Sequence, residues 1–425
     1  MNFNKKEIVQ GVTLLGVNAD HFKTNEIAVS LALPLKKETA SVNALLINLL
    51  SRRSKDYPNL SSLNKKLAFL YGASLSAVVS KVGESQVLKL GITSLDDKFS
   101  LDADSISLEC IKLLTSLIFE PRLNDNKAFF PEDIESEKRI LIEKIESEQN
   151  EKRTYVLRKA EALMFADEPY GIDRYGTADD VKKIAAEDVY TAWKTAIETA
   201  KMMVTVVGSA DIETAAIHLK EVFSAVKREY TPLPDAVFVP ECKEVKEKME
   251  RIDVKQGKLV LGFRVNLKPE DELTPAMRTF CDIFGGGPYS KLFANVREKM
   301  SLCYYCSARY TKQKSCIMIQ CGCNEENMDK AVNEILHQLD EIKNGNFEEE
   351  FSSSKMGLRD AIMSVNDTPE LIESWYANQI ISEEIKSPEQ SVKKNDSVTM
   401  DDVKQCAALL SLDTIYKLSA PKEGK

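Results

Sequence analysis

A chain of 425 residues, with 57 Lys and Arg against 66 Asp and Glu, is mildly acidic and long enough for more than one hydrophobic core. Its 43% hydrophobic and 29% charged residues exclude a disordered, collagen-like or membrane-bundle chain, and no apolar run reaches the roughly 18 residues of a spanning helix. Gln10, Asn18 and Asp20 interrupt any signal-peptide core after Lys5 and Lys6, the nine Cys have no framework spacing, and no basic stripe is interleaved with aromatics, so we expect a soluble, cytoplasmic protein with no membrane or nucleic-acid partner.

In chain order, Ile27, Val29, Leu31 and Leu33 alternate with Ala28, Ser30 and Ala32, which predicts a strand, and an apolar helical segment follows over Ala44 to Leu50. A helix over Leu63 to Tyr71 then leads to strand-like segments ending near Thr93. Two further helices are expected over Ser105 to Phe119 and Glu132 to Lys159. The acidic face of the second (Glu135, Glu137, Glu143, Glu146, Glu148) reads as solvated. The stretch 227–258 carries Pro232, Pro234 and Pro240 and then the charged run Lys243 to Arg251, the composition of an exposed linker.

The same series then recurs. Leu259, Leu261, Phe263 and Val265 alternate with Val260, Gly262 and Arg264, and Thr274-Pro275 opens a helix through Met277, Phe280 and Phe284. Seventeen positions separate Ile27 from Ala44, and seventeen separate Leu259 from Ala276. A helix over Leu292 to Met300, strand-like segments ending near Cys323, and helices over Met328 to Lys343 and Glu348 to Val365 complete the parallel. This is a duplication. The expected fold is α+β: two homologous halves, 1–226 and 259–425, each a mainly antiparallel sheet with helices on one face.

Chemistry-bearing residues are few. The chain has three His (His21, His218 and His337), scattered and read as packed or surface residues, so there is little imidazole for a zinc site or a general base. Cys303 and Cys306, with Cys316, Cys321 and Cys323 nearby, invite a zinc-ribbon reading, but strand alternation would turn Cys303 and Cys306 to opposite faces, and all five are expected to be buried thiols. The triplet Gly285, Gly286 and Gly287 follows a helix and lacks the Gly-Lys-Ser/Thr of a phosphate loop; it is read as room for the backbone to turn and approach a peptide.

The run from Phe284-Gly-Gly-Gly-Pro-Tyr-Ser through Val296-Arg-Glu-Lys-Met-Ser-Leu-Cys-Tyr304 resembles the second-half signature of the pitrilysin/insulinase-type metallopeptidases, a superfamily that includes the mitochondrial processing peptidases. Pro169-Tyr-Gly171, Gly176-Thr177 and Met203 to Gly208 are similar to the close of that family's first half. The resemblance spans nearly the whole chain and implies a clamshell around a peptide-binding chamber. Active members carry an inverted zinc motif, His-x-x-Glu-His, whose spacing puts both His on one helix face and the Glu beside the metal-bound water. Here the first His position falls on Leu45, the Glu on Asn48 and the second His on Leu49. The third-ligand position falls on Lys144, or on Glu143 if the register slips by one.

Two Leu offer no lone pair, and an ammonium about 4 Å from Zn²⁺ is repelled by roughly 8 kcal/mol at an effective dielectric of 20. Glu143 alone would not supply the three protein ligands of a catalytic zinc. By contrast, the resemblance places on Arg297 and Tyr304 the pair that holds the substrate carbonyl and stabilises the tetrahedral intermediate, with Ser301 standing where the family has Gly. It implies a member that is not catalytic alone, has no catalytic residues or cofactor of its own, binds a peptide or unfolded polypeptide segment, and pairs with a zinc-bearing paralogous subunit, as in bacterial heterodimers that divide the two motifs. The alternatives are an active zinc metalloendopeptidase with another ligand set, and a purely structural subunit of the respiratory-complex core type.

Overall fold

The computed structural model describes residues 3–101 and 105–421. Its strands form two mixed sheets, and contacts divide the chain into two compact units: Met1–Glu146, Ile172–Asp235 and Ser364–Pro388 in the first, Ser147–Gly171, Ala236–Met363 and Glu389–Lys425 in the second. Each unit therefore holds one sheet and one segment that the sequence places with the other half.

The first sheet contains β1 (Phe3–Val9), β2 (Val12–Asn18), β3 (Thr24–Pro34), β4 (Ser74–Val82), β5 (Ser85–Leu95) and β6 (Lys201–Gly208), in the order β1-β2-β6-β3-β5-β4. The second contains β7 (Lys246–Arg251), β8 (Lys258–Val265), β9 (Tyr305–Thr311), β10 (Cys316–Gly322) and β11 (Leu410–Ser419), in the order β7-β11-β8-β10-β9. The orders superimpose from β2 and β7 onward. In both sheets an edge-side strand runs parallel to its neighbour, β2 to β6 and β7 to β11, and the other shared pairs are antiparallel. The duplication read from spacing is thus a duplication of topology. Within 227–258 the charged run supplies β7, while the Pro-bearing part is irregular.

Alternation decides what each face buries. On β3, Ile27, Val29, Leu31 and Leu33 join a core with the helices Lys37–Leu50, Ile106–Phe119, Ala186–Thr199 and Ile212–Ser224. The intervening Ala32, with Val87 and Met203, packs on Ile372 and Tyr376 of the helix Pro369–Ala377. The second sheet repeats this: Leu259, Leu261 and Phe263 face the main helical layer, and Val260, Met318 and Tyr416 pack on Val156, Ala160 and Met164 of the helix Lys152–Met164. Beyond the expected helical layer, then, each sheet carries one further helix on its opposite face.

The helix expected over Glu132 to Lys159 is two helices, Pro131–Asn150 and Lys152–Met164, because Glu151 turns out of the helical path and caps the second by accepting from the backbone N–H of Arg153 and Thr154. That break lies beside the passage from the first unit to the second. No helix among the described residues is long and apolar enough to cross a membrane.

Candidate functional site

In the first unit, the helix Lys37–Leu50 is apolar nearly all round over Ala44–Leu50, the pattern of a helix sunk in a core. Leu45 is fully buried and Leu49 is 6% exposed, both in the main core, while Asn48 is half-buried. The face that would carry two imidazoles is hydrocarbon packed on hydrocarbon. On the helix Pro131–Asn150, Glu143 and Lys144 are both exposed, and the Lys144 ammonium lies 4.9 Å from the centre of the buried Tyr175 ring.

Ion pairs surround this place that sequence reasoning missed. Arg52 Nε lies 3.2 Å from Oε1 of the buried Glu137, and Arg53 Nη1 lies 2.5 Å from Asp133. Burial pushes the Glu137 carboxyl above its ordinary range, against the pull of Arg52. A cavity of 150 Å³ lined by Leu49, Arg52, Asp133 and Glu137 adjoins them. The signal available in sequence was the pair of arginines one turn after Leu49, facing two acidic positions on the later helix.

In the second unit, Arg297 sits on a π-helix, Leu292–Lys299, closed by the Met300 N–H donating to the Asn295 carbonyl five residues back. Such wide turns concentrate at functional positions because they re-aim side chains. The Arg297 side chain is partly exposed, its guanidinium 4.5 Å from the centre of the Phe293 ring and its Nε 3.5 Å from Glu298. Ser301 follows with φ +51°, a left-handed turn that suits glycine, and the chain enters β9. Tyr304, 62% exposed, is fixed by its N–H donating to the Gly322 carbonyl at 2.8 Å. The charge of Arg297 acts on the thiol of Cys303, the residue that precedes Tyr304. Arg297 offers fixed N–H donors and Tyr304 a phenol, a set suited to a polarised carbonyl oxygen.

Gly285 owes its identity to packing. A Cβ there would lie 2.5 Å from the Ala308 backbone nitrogen, so the helix Thr274–Gly285 can approach β9 only without one. A Cβ on Gly286 would strike Asp282, and one on Gly287 would meet the Tyr289 ring.

The cysteines correct the alternation argument. Because β9 starts at Tyr305, Cys303 precedes the strand and is free to fold over it. The thiols of Cys303, Cys306 and Cys321 converge within 4.8 Å of one another, all buried. Hydrogen bonds from Cys306 and then Cys321, with the charge of Arg297, draw the Cys303 thiol down to about 4, and the same sharing pushes Cys306 and Cys321 up.

The two halves repeat one α+β topology, the first burying Leu45 and Leu49 in its core and the second exposing Tyr304 and part of Arg297. Residues 183–358 match the family described as "Peptidase M16 inactive domain". Among curated proteins, one from Bacillus subtilis named "Probable inactive metalloprotease YmfF" is 30% identical over 409 residues, covering 96% of both chains. Among solved structures, a conserved protein from Enterococcus faecalis V583 superimposes with a TM-score of 0.90 at 26% identity, covering 100% of both chains. A chain from "Complex III2 from Candida albicans" shares the fold at 13% identity with a TM-score of 0.73, over 96% of this chain and 94% of that one. The chain belongs to the pitrilysin/insulinase-type (M16) metallopeptidase superfamily, as an inactive member that lacks the inverted zinc motif. The zinc of its active relatives does not fit these residues. Leu45 and Leu49 have no donor atoms, and the later helix presents Lys144, or Glu143 alone.

Proposed function

We propose that this chain binds extended peptide segments as the non-catalytic subunit of a heterodimer, and that a zinc-bearing paralogue supplies the hydrolysis. The observation that carries the reading is an asymmetry between the units. Leu45 and Leu49 of the first are absorbed into its core, whereas Arg297 and Tyr304 of the second stay accessible on a π-helix and at a strand entrance. A chain selected only for packing has no need of a 62% exposed phenol and a partly exposed guanidinium at these two positions.

In this reading Arg297 and Tyr304 complete the paralogue's site by donating to the peptide carbonyl oxygen, while the paralogue's metal and base act on water. Eight of the nine cysteines are buried and all are free thiols, which suits a reducing, cytoplasmic compartment. The occurrence of this fold in a chain of "Complex III2 from Candida albicans" supports a role in assemblies.

The test is the reconstituted pair. Arg297→Ala and Tyr304→Ala should each lower cleavage of a quenched-fluorescence peptide by at least about 100-fold, the scale of losing one oxyanion donor. Co-elution of the subunits should be unchanged. Turnover equal to the unmodified pair would refute the shared site.

A further inference from the structure

Outside the inherited peptidase machinery, metal-ligating atoms converge at one further place among the described residues. Cys306 and Cys321 are directly opposed in the β9–β10 ladder, so their side chains share a face. Cys323, just past the end of β10, is buried in the same core cluster. Cys303 enters from the turn before β9. The three thiols of Cys303, Cys306 and Cys321 lie within 4.8 Å of one another. Four sulfurs around a tetrahedral zinc, with Zn–S of about 2.3 Å, stand about 3.8 Å apart, a spacing these three thiols approach and to which Cys323 is the next sulfur along the chain.

Donor chemistry selects the ion. The cluster offers sulfur without carboxylate or imidazole, a set that rejects magnesium and calcium and favours a soft d¹⁰ ion. Small buried thiols can serve as mere core filler, but filler does not require three sulfurs at one point, and a disulfide could consume only two of them.

We propose that Cys303, Cys306 and Cys321, with Cys323 as fourth donor, form a structural zinc–thiolate site that ties the turn through Ser301 to the second sheet. The tie acts on function through position: Tyr304 follows Cys303 directly, and its backbone is already held to Gly322, between Cys321 and Cys323. The site does not depend on the proposed heterodimer, and its zinc is distinct from a hydrolytic one because all its ligands are thiolates.

The experiment uses the reduced full-length chain, alone, titrated with Co²⁺ and then Zn²⁺. The expected result is a thiolate-to-cobalt charge-transfer band that saturates at one equivalent and is displaced by zinc, with a zinc-dependent rise in Tm. Cys303→Ser, at the turn, should weaken cobalt binding by at least about tenfold and abolish the Tm rise. Cys242→Ser, outside the cluster, should change neither. Absence of the band in the unmodified protein, its persistence in Cys303→Ser, or a disulfide among these cysteines in protein purified under reducing conditions would overturn the proposal. The unmodified titration decides even if the variant misfolds.

Discussion

The ammonium of Lys144 stands 4.9 Å from the centre of the Tyr175 ring, at the helix position where zinc-bearing relatives are expected to place a ligand carboxylate. A cation over an aromatic face is a favourable contact of about 0.5–2 kcal/mol, so the charge that would repel a metal also packs locally. Leu45 and Leu49 are likewise packed in the core, so an imidazole placed at either should cost stability.

Leu45 tests this. It is fully buried in the main core, and Leu45→His removes apolar burial and leaves an imidazole without water. We expect a loss of about 3 kcal/mol or more, read as a lower denaturation midpoint at unchanged slope, with no zinc-dependent recovery.

Ser301 should respond in the opposite sense. Its φ of +51° costs a side-chain-bearing residue about 1–2 kcal/mol, and glycine returns roughly half of that as unfolded-state entropy. Ser301→Gly should therefore stabilise the chain by about 0.5–1 kcal/mol in equilibrium unfolding. A destabilised variant would show that the serine makes a compensating contact.

Arg264 illustrates what the sequence concealed. Alternation along Leu259–Val265 reads it as a polar residue on the less apolar face, yet it is 3% exposed. Its guanidinium donates to Glu168 at 2.7 Å, to Asp413 at 2.9 Å and to the Met164 carbonyl at 2.9 Å, and a bulge in β11 between Leu412 and Thr414 accompanies Asp413. Arg264→Ala leaves the buried Asp413 without its cation and Glu168 with Lys314 alone, and should cost about 3–5 kcal/mol. A cost below 1 kcal/mol would mean that Lys314, also paired with Glu168, takes over the charge.

The strands, the helix after each first strand and the repeated order were legible because period-two and helical patterns are local and occur twice. The burial of Leu45 and Leu49 was legible for the same reason. What lay beyond reach depends on distant chain. Arg264 donates to the last residue of a helix from 152–164, and Ala32 lies under one from 369–377, segments that each belong to the other half in sequence. The convergence of Cys303 on Cys306 turned on where β9 begins, a matter of two residues, and alternation reversed its sign once that boundary moved. Lys144 on Tyr175 joins residues thirty-one positions apart and has no periodic trace.

Glu26 gives a pH signature. It is 5% exposed, accepts from the Thr93 hydroxyl at 2.7 Å, and is faced by Lys89, Glu373 and Glu370. Burial, opposed by the Thr93 hydrogen bond and reinforced by Glu373, pushes its carboxyl from 4.5 up to about 7. Folded chains thus keep a proton that unfolded chains release, so the favourable contribution is complete below pH 4.5 and is lost as pH rises to about 7, roughly 3 kcal/mol in all. Glu26→Gln should flatten that slope, with stability close to the parent near pH 4.5 and higher at pH 8. A parallel profile in both proteins would contradict the assignment.

The most direct measurement is anomalous scattering at the zinc edge from crystals grown with excess zinc. The expected map has no peak within coordination distance of Leu45, Asn48, Leu49, Glu143 or Lys144, whatever the cysteines hold. A tetrahedrally ligated zinc between the helices Lys37–Leu50 and Pro131–Asn150 would contradict the reading of this chain as a peptidase homologue without a hydrolytic metal of its own.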